Sequence, residues 1–547
     1  MKHLISAAMS FLLLFRPAVA FGINAEAAAE LKSVSAAAVL DRIFVFSENS
    51  KIVSVNGKNV IADNYTKFEN ENIYIDKRVA IGNGTGYVDV QSLNFPYVCD
   101  YESGIVLLSR DNGISQDDLN EAKKLLSVLY SCGIYVSAYG SNSNIGTYKK
   151  PFKTIGAAIN AYVECKKLYK TTPCIYITEG EYHISDTIVL DSSASGITFA
   201  AYDNQRVSIN GGFRGGKITK ASLSDLGGKL PKEHIDKIIK WDISEYGGLA
   251  DDCVFPDFSY YTPELVNNGK VETIARWPNN DWSYTGEQTK KISDTEYEFK
   301  TDADISNMTL DNAKILGFWA WDYRLSRGNI TGYDGAESTV RISTDCFNAA
   351  EYYFNSNRRY YIYNIPEEVN SPGEYYIDYE NKVLYYYPEN NALNLQLTGL
   401  KNGIFNLNND CDNVTFCGLI FENARGTAIS GDGCDYLTVD GCLFRNIGGR
   451  GIYISNTYNT NITKSVFKDI GDSSVEISGG LRPQLKKSNS SVNNCEFYNG
   501  GRVIGTYSPF VQAGGHNSYE LSPAIGITVE NNFFYNHMHS AIVFAGN

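Results

Sequence analysis

GLIFEN at Gly418–Asn423, GCLFRN at Gly441–Asn446, KSVFKD at Lys464–Asp469, NCEFYN at Asn494–Asn499 and NNFFYN at Asn531–Asn536 are five writings of one pattern. Its fourth residue is always aromatic: Phe421, Phe444, Phe467, Phe497 and Phe534, at intervals of 23, 23, 30 and 37. Two positions on stand Asn423, Asn446, Asp469, Asn499 and Asn536. Eight positions past the anchor an aliphatic residue returns as Ile429, Ile452, Val475 and Ile542, while the fourth copy carries Gly505 at that count. The intervals describe a short repeat with insertions.

A period in the low twenties, rich in β-branched residues and glycine, with one amide position stacked on the next, is the signature of a parallel β-helix. One turn cannot bury its own apolar face, so each must pair with a neighbour about 4.8 Å away. The phenylalanines are then expected as an interior stack. The asparagines suit a tight bend, because Asn accepts left-handed backbone and its amide can bond to the Asn above and below. A leucine-rich repeat has a similar period, but its leucine spacing and helical half-repeat are missing.

Length alone, 547 residues, suggests about three or four ordinary domains unless a repeat takes up much of it. The net charge of -14, with no run of Lys and Arg, argues against a nucleic-acid partner. Residues 1–20 read as a signal peptide, with Lys2 and His3, an apolar run from Leu4 to Phe15 and small residues at Ala18 and Ala20. That run is shorter than the about twenty residues of a transmembrane helix. No later stretch reads as one, so the expected product is soluble and secreted or displayed at the cell surface. The cysteines number 11 and form no metal-binding spacing. Cys442 and Cys495 share a column but are separated by the rung of Ser465, roughly 9.6 Å apart from the strand spacing. That distance excludes a disulfide, so free thiols are expected.

Residues 40–112 read as a small β-rich domain. Val53–Lys58 is a strand entering a tight turn, and Gly86–Val90 and Ile105–Leu108 are further strands. The order of "VNGK", "GYVDV" and "YESGIVLLS" resembles the copper amine oxidase N-terminal-like domain, which here implies a spacer and no copper. A linker helix is expected within 113–133, capped by Ser115 with Asp118 and closed by Gly133. Residues 134–261 open the solenoid with a strand at Tyr135–Ser137, an amphipathic helix from Ile155 to about Lys167 and rungs at Ile188–Leu190, Ile197–Phe199 and Val207–Ile209. The helix is the expected N-terminal cap, since an open end would expose core and strand edges. Residues 262–388 read as an inserted β-rich domain, and 389–547 as the rungs. The fold class is therefore all-β: a parallel β-helix with a helical cap, an inserted domain and a small N-terminal domain.

The inserted domain carries "ARWPN" at Ala275–Asn279, "FWAWD" at Phe318–Asp322 and "SPGEYYIDYENKVLYYYP" at Ser371–Pro388. With the rungs, "TYSP" at Thr506–Pro509 and "HMHSAI" at His537–Ile542, these blocks resemble the right-handed β-helix proteins related to glycoside hydrolase family 141. The resemblance covers residues 134 to 547. It implies a secreted carbohydrate-active protein, a glycoside hydrolase acting on plant or other cell-wall polysaccharide. It also implies catalytic acidic motifs on rungs beyond the last copy, which this chain lacks, so a C-terminal truncation is expected. Two other readings stay open: a non-catalytic extracellular carbohydrate-binding or surface protein, and a polysaccharide lyase. No cofactor or metal is called for, and a monomer is expected.

Candidate site residues come from the columns. Five positions past the anchor the rungs carry Gly426, Gly449, Asp472, Arg502 and His539. An acid, a guanidinium and an imidazole in line can orient a sugar and move a proton, which makes Asp472, Arg502 and His539 the catalytic candidates. The bland alternative is an Asp472–Arg502 ion pair on an exposed bend. Arg450, Glu476 and His537 are the substrate-binding candidates. Glu476 should point outward beside inward Val475, and His537 also suits a packing role in the bend. Trp277, Trp319 and Trp321 are either a sugar-stacking platform or the core of the inserted domain.

Overall fold

The computed structural model describes residues 133–144, 146–169, 172–247, 262–293, 295–319, 321–344, 356–408, 410–515 and 523–545, with the backbone of short strands between Ile43 and Leu108. The expected signal peptide and linker helix lie outside the described residues. The chain divides into two compact units, Met1–Gly180 with Gly196–Val207, and Glu181–Ser195 with Ser208–Asn547.

In the first unit Ile52–Val55 and Lys58–Ile61 pair antiparallel, with Val55 opposite Lys58. Ile105–Leu108 is the centre of a three-stranded antiparallel sheet with Ile43–Val45 and Tyr97–Asp100. Further along, Ile134–Val136, Cys174–Ile177 and Thr198–Ala201 form three parallel strands in register. The helix Ile155–Tyr169 buries Ile155, Ala158, Tyr162 and Cys165, spaced by three and four as one helical face demands. Thr154 caps it, its hydroxyl accepting the Ala157 N–H at 3.2 Å.

The second unit contains the repeat. Its rungs run through three parallel sheets. In the first, Ile420–Glu422, Leu443–Ile447, Val466–Ile470, Glu496–Gly500 and Phe533–His537 stack in sequence order. The five phenylalanines pair one to one and their rings stack at 4.9, 4.7, 5.0 and 4.9 Å, tilted by 14° or less. The amide column closes each strand in left-handed backbone, with φ between 51° and 58° at Asn423, Asn446, Asp469, Asn499 and Asn536. Side-chain hydrogen bonds run up it: Asn446 to Asn423 at 3.1 Å, Asn499 to Asp469 at 3.0 Å and Asn536 to Asn499 at 2.7 Å. A second left-handed column precedes each strand at Gly418, Gly441, Lys464, Asn494 and Asn531. Cys442 and Cys495 are buried free thiols; between them the Ser465 hydroxyl accepts the Cys442 N–H at 3.1 Å.

The early rungs at Ile188–Leu190 and Ser208–Asn210 pair directly with Phe405–Leu407 and Ile420–Glu422. The chain between them leaves the solenoid and returns. Ile218–Lys220 and Ile239–Asp242 already belong to the inserted sheet with Val383–Tyr386, Glu374–Asp378 and Thr273–Ile274. The excursion therefore begins soon after Asn210 rather than near Thr262. Its second sheet runs Arg359–Tyr363, Ser283–Lys291, Glu296–Thr301, Thr339–Thr344, Ser326–Asp334 and Lys314–Gly317, and the last strand pairs back onto the first. This closes an antiparallel barrel and removes its edges. Phe299, Ile315, Trp319, Val340, Ile342 and Tyr360 fill it, with Trp277 packed against that core.

Candidate functional site

Between the first sheet of the β-helix and its second, in which Ile429–Asp432, Ile452–Ser455, Val475–Ile477, Val511–Ala513 and Ile542–Phe544 stack, each rung turns a corner, and in the fourth rung the regular repeat gives way there. From Phe467 to Val475 the chain takes eight residues, but from Phe497 to Val511 it takes fourteen, and it is Val511 that pairs with Val475 and Ile542. Six residues are inserted in the fourth rung. Gly505 is therefore not the missing aliphatic position, and Arg502 does not stack in line with Asp472 and His539.

Asp472 and Arg502 accordingly have other partners. The Arg502 guanidinium forks onto Glu264 of the excursion at 2.7 and 3.1 Å. Burial opposes its charge, but the carboxylate of Glu264 more than offsets this and holds the guanidinium above its usual range. Arg502 is a structural clamp between excursion and rung, and neither the expected catalytic line nor the Asp472–Arg502 pair forms. Asp472 instead lies 3.3 Å from Nε of Arg450, one rung below, and the same Nε lies 2.8 Å from Glu476. The Arg450 guanidinium also sits over the Tyr453 ring at 5.1 Å.

Local chain geometry explains the cluster. Asp472 is anchored by its N–H to the Gly449 carbonyl at 3.1 Å, and its carboxylate accepts the Ser473 N–H at 2.7 Å. Gly451 lets the corner pass, since a Cβ there would meet the Ser474 carbonyl oxygen at 2.5 Å. Val475 and Ile477 point inward and are fully buried, so strand alternation turns Glu476 outward. Outward is not exposed, however: Glu476 stands between Tyr453 and the buried Gln512 in the register and is itself largely covered. Burial raises its pKa and the neighbouring Asp472 charge raises it further, against the opposing pull of Arg450. The result is a pair of carboxyl groups on one arginine, one of them biased towards its protonated form.

On the fifth rung, His539 donates its backbone N–H to Nδ1 of His537 at 2.8 Å. His537 packs edge-on against Phe510 at 4.4 Å. Burial, aided by His539, lowers its pKa to about 4, so it is neutral at physiological pH and fits the packing role. His539 is exposed beside Tyr507, ring centroids 5.7 Å apart. Tyr507 belongs to the inserted corner loop, and beyond it stand Tyr323 at 6.4 Å and then Trp321 at 6.1 Å from Tyr323. Sequence counting overlooked Tyr507, although "TYSP" and Trp321 were both visible signals. The three tryptophans separate: Trp319 is buried in the barrel, Trp277 packs on its core, and Trp321 is exposed. A polar hollow of about 420 Å³ on a different turn is lined by Asp435, Tyr436, Tyr458 and Lys486, whose ammonium lies over the Tyr458 ring.

Residues 386–547 match the sequence profile described as the right-handed β-helix region. This part of the chain is a right-handed parallel β-helix. A solved structure described as a glycoside hydrolase shares the β-helix architecture, with a TM-score of 0.60 at 13% identity over 76% of this chain and 80% of the other. Two further matches have TM-scores of 0.19: XylC in complex with xylose, 10% identical over 73% of this chain and 62% of the other, and the tailspike gp61 of Pseudomonas phage phi297, 12% identical over 77% and 56%. No protein of curated function matches the sequence. Among the described residues no helix is long and apolar enough to cross a membrane.

Proposed function

We propose that the protein is a secreted, carbohydrate-active β-helix enzyme of the glycoside hydrolase type, acting on plant or other cell-wall polysaccharide. The observation that carries the reading is the Asp472–Arg450–Glu476 cluster at the corner of the β-helix. Glycosidic hydrolysis needs one carboxyl group that holds its proton and one that does not. Glu476, raised by burial and by Asp472, suits the acid that protonates the leaving oxygen. Asp472, fixed on Arg450, suits the carboxylate that attacks the anomeric carbon as that bond breaks. Water then displaces Asp472, giving its proton to Glu476. Because both carboxyl groups contact one nitrogen, their contacting oxygens stand within about 6 Å of each other. That is closer than the spacing of about 6.5–9.5 Å typical of inverting enzymes, so a retaining outcome follows.

A second reading, a glycan binder without turnover, is favoured by the depth of Asp472, only 6% exposed. Release of reducing ends from xylan and pectin fragments separates the two. Asp472→Asn and Glu476→Gln are each expected to lower turnover at least about a thousandfold while leaving glycan affinity within a few-fold. Wild-type turnover in both variants would remove the chemistry from this corner. Products absorbing in the ultraviolet as unsaturated sugars would replace hydrolysis by elimination.

A further inference from the structure

The rings beside His539 form an exposed aromatic surface. Trp321 is 40% exposed, Tyr323 44% and Tyr507 49%, although each carries a large apolar face that folding ordinarily buries. Trp321 and Tyr323 lie with their planes 7° apart, and Tyr507 stands across them at 88°. The rings come from two distant parts of the sequence that interlock. The Leu325 N–H donates to the Thr506 hydroxyl at 3.0 Å, and the Arg327 guanidinium donates to the Val503 carbonyl. Gly505 permits this approach: it has a φ of 77°, and a Cβ there would meet the Leu325 side chain at 2.6 Å. Tyr507 itself has a φ of 55°, a left-handed conformation that bulky residues rarely adopt.

Chemistry narrows the ligand. Asp322, between Trp321 and Tyr323 in sequence, is drawn into ion pairs with Arg359 at 3.2 Å and Arg358 at 3.8 Å. Its charge is thus shared with two guanidinium groups, and the ring faces on offer are aromatic. Aromatic faces present partial negative charge and favour the weakly positive C–H faces of sugar rings whose hydroxyls are all equatorial. The shelf also continues into the corner: the Val503 and Ile504 N–H groups both donate to the Gly471 carbonyl, next to Asp472.

We propose that Trp321, Tyr323 and Tyr507 form a stacking subsite for the pyranose rings of a neutral β-linked glycan, with His539 at its edge as a hydrogen-bonding group. The proposal rests on the glycan reading of the corner and names where the chain of sugars lies. Trp321→Ala and Tyr507→Ala in the full chain are each expected to weaken binding of xylohexaose or cellohexaose about tenfold in calorimetry. Trp321→Phe should keep most of the affinity yet lose the sugar-induced change in tryptophan emission. Tyr284→Ala, an equally exposed ring elsewhere on the barrel, should bind as wild type. Circular dichroism checks that the variants are folded. Unchanged affinity in both alanine variants, or a wild type that binds neither hexasaccharide, overturns the subsite. If turnover of polysaccharide is still lost in Asp472→Asn, the hydrolase reading stands without it; if turnover is absent as well, both fall.

Discussion

The corners of the second and third rungs of the β-helix and that of its fourth differ by six residues, and the difference separates a covered ion-pair cluster from an exposed aromatic shelf. Where the interval is 23, every column stays in register: phenylalanines stack, amides ladder, and the corner is short. Where the corner lengthens, the extra residues reach out to the excursion, placing Arg502 on Glu264 and Tyr507 beside Tyr323. The core tolerates this because the stack needs only Phe467 and Phe497 at the right spacing, 5.0 Å, whatever the length of the connection. Loop closure grows costly only slowly with length. Regular corners therefore hold the Arg450–Asp472–Glu476 cluster, and the insertion on the fourth rung reaches the excursion.

Experiments can break this contrast at several strengths. The largest effect is expected in the regular region, where Phe467 is fully buried between two rings. Phe467→Ala should cost about 4 kcal/mol in urea unfolding, and a cost under about 1 kcal/mol would mean the stack is not a continuous core. Next comes the clamp of the irregular rung. Arg502→Ala strands Glu264 and should destabilise by about 3 kcal/mol; Glu264→Ala in the same background should add little. A loss of turnover by Arg502→Ala without loss of stability would return Arg502 to the catalytic role its column count suggested.

The smallest effect is in pH. His537 has a folded pKa near 4, below its ordinary 6.5, so the unfolded chain takes up a proton that the folded chain refuses. Its contribution is complete above about 6.5 and is lost as pH falls towards 4. His537→Gln should flatten the acid limb of the stability profile in that window, and an unchanged limb would place the sensitive groups elsewhere. Activity should respond in the opposite sense through Glu476: its raised pKa keeps the acid protonated above the usual carboxylate range, extending the alkaline limb of turnover.

Much of the fold was legible because the repeat encodes it locally. Aromatics returning at intervals of 23, 23, 30 and 37 in one repeated pattern must share one interior, and an Asn two positions on must bend the chain, since few other residues accept left-handed backbone. The outward direction of Glu476 also followed from strand alternation alone. Site geometry was less legible. Counting five from Phe497 reached Arg502 only because an insertion leaves no mark on the count. Trp319 and Trp321, two residues apart, parted company because the barrel closes around one and ends before the other.

By itself, then, the sequence determined what each rung repeats: inward Phe and Ile, the left-handed Asn, and thiols too far apart to join. These depend on neighbours at fixed spacing along the chain. Only the tertiary structure decided that Arg450 gathers Asp472 and Glu476, that Arg502 belongs to Glu264, and that Trp321 meets Tyr507. Those partners lie on different rungs or across the excursion, where the chain's return path, and not its local pattern, sets the distance.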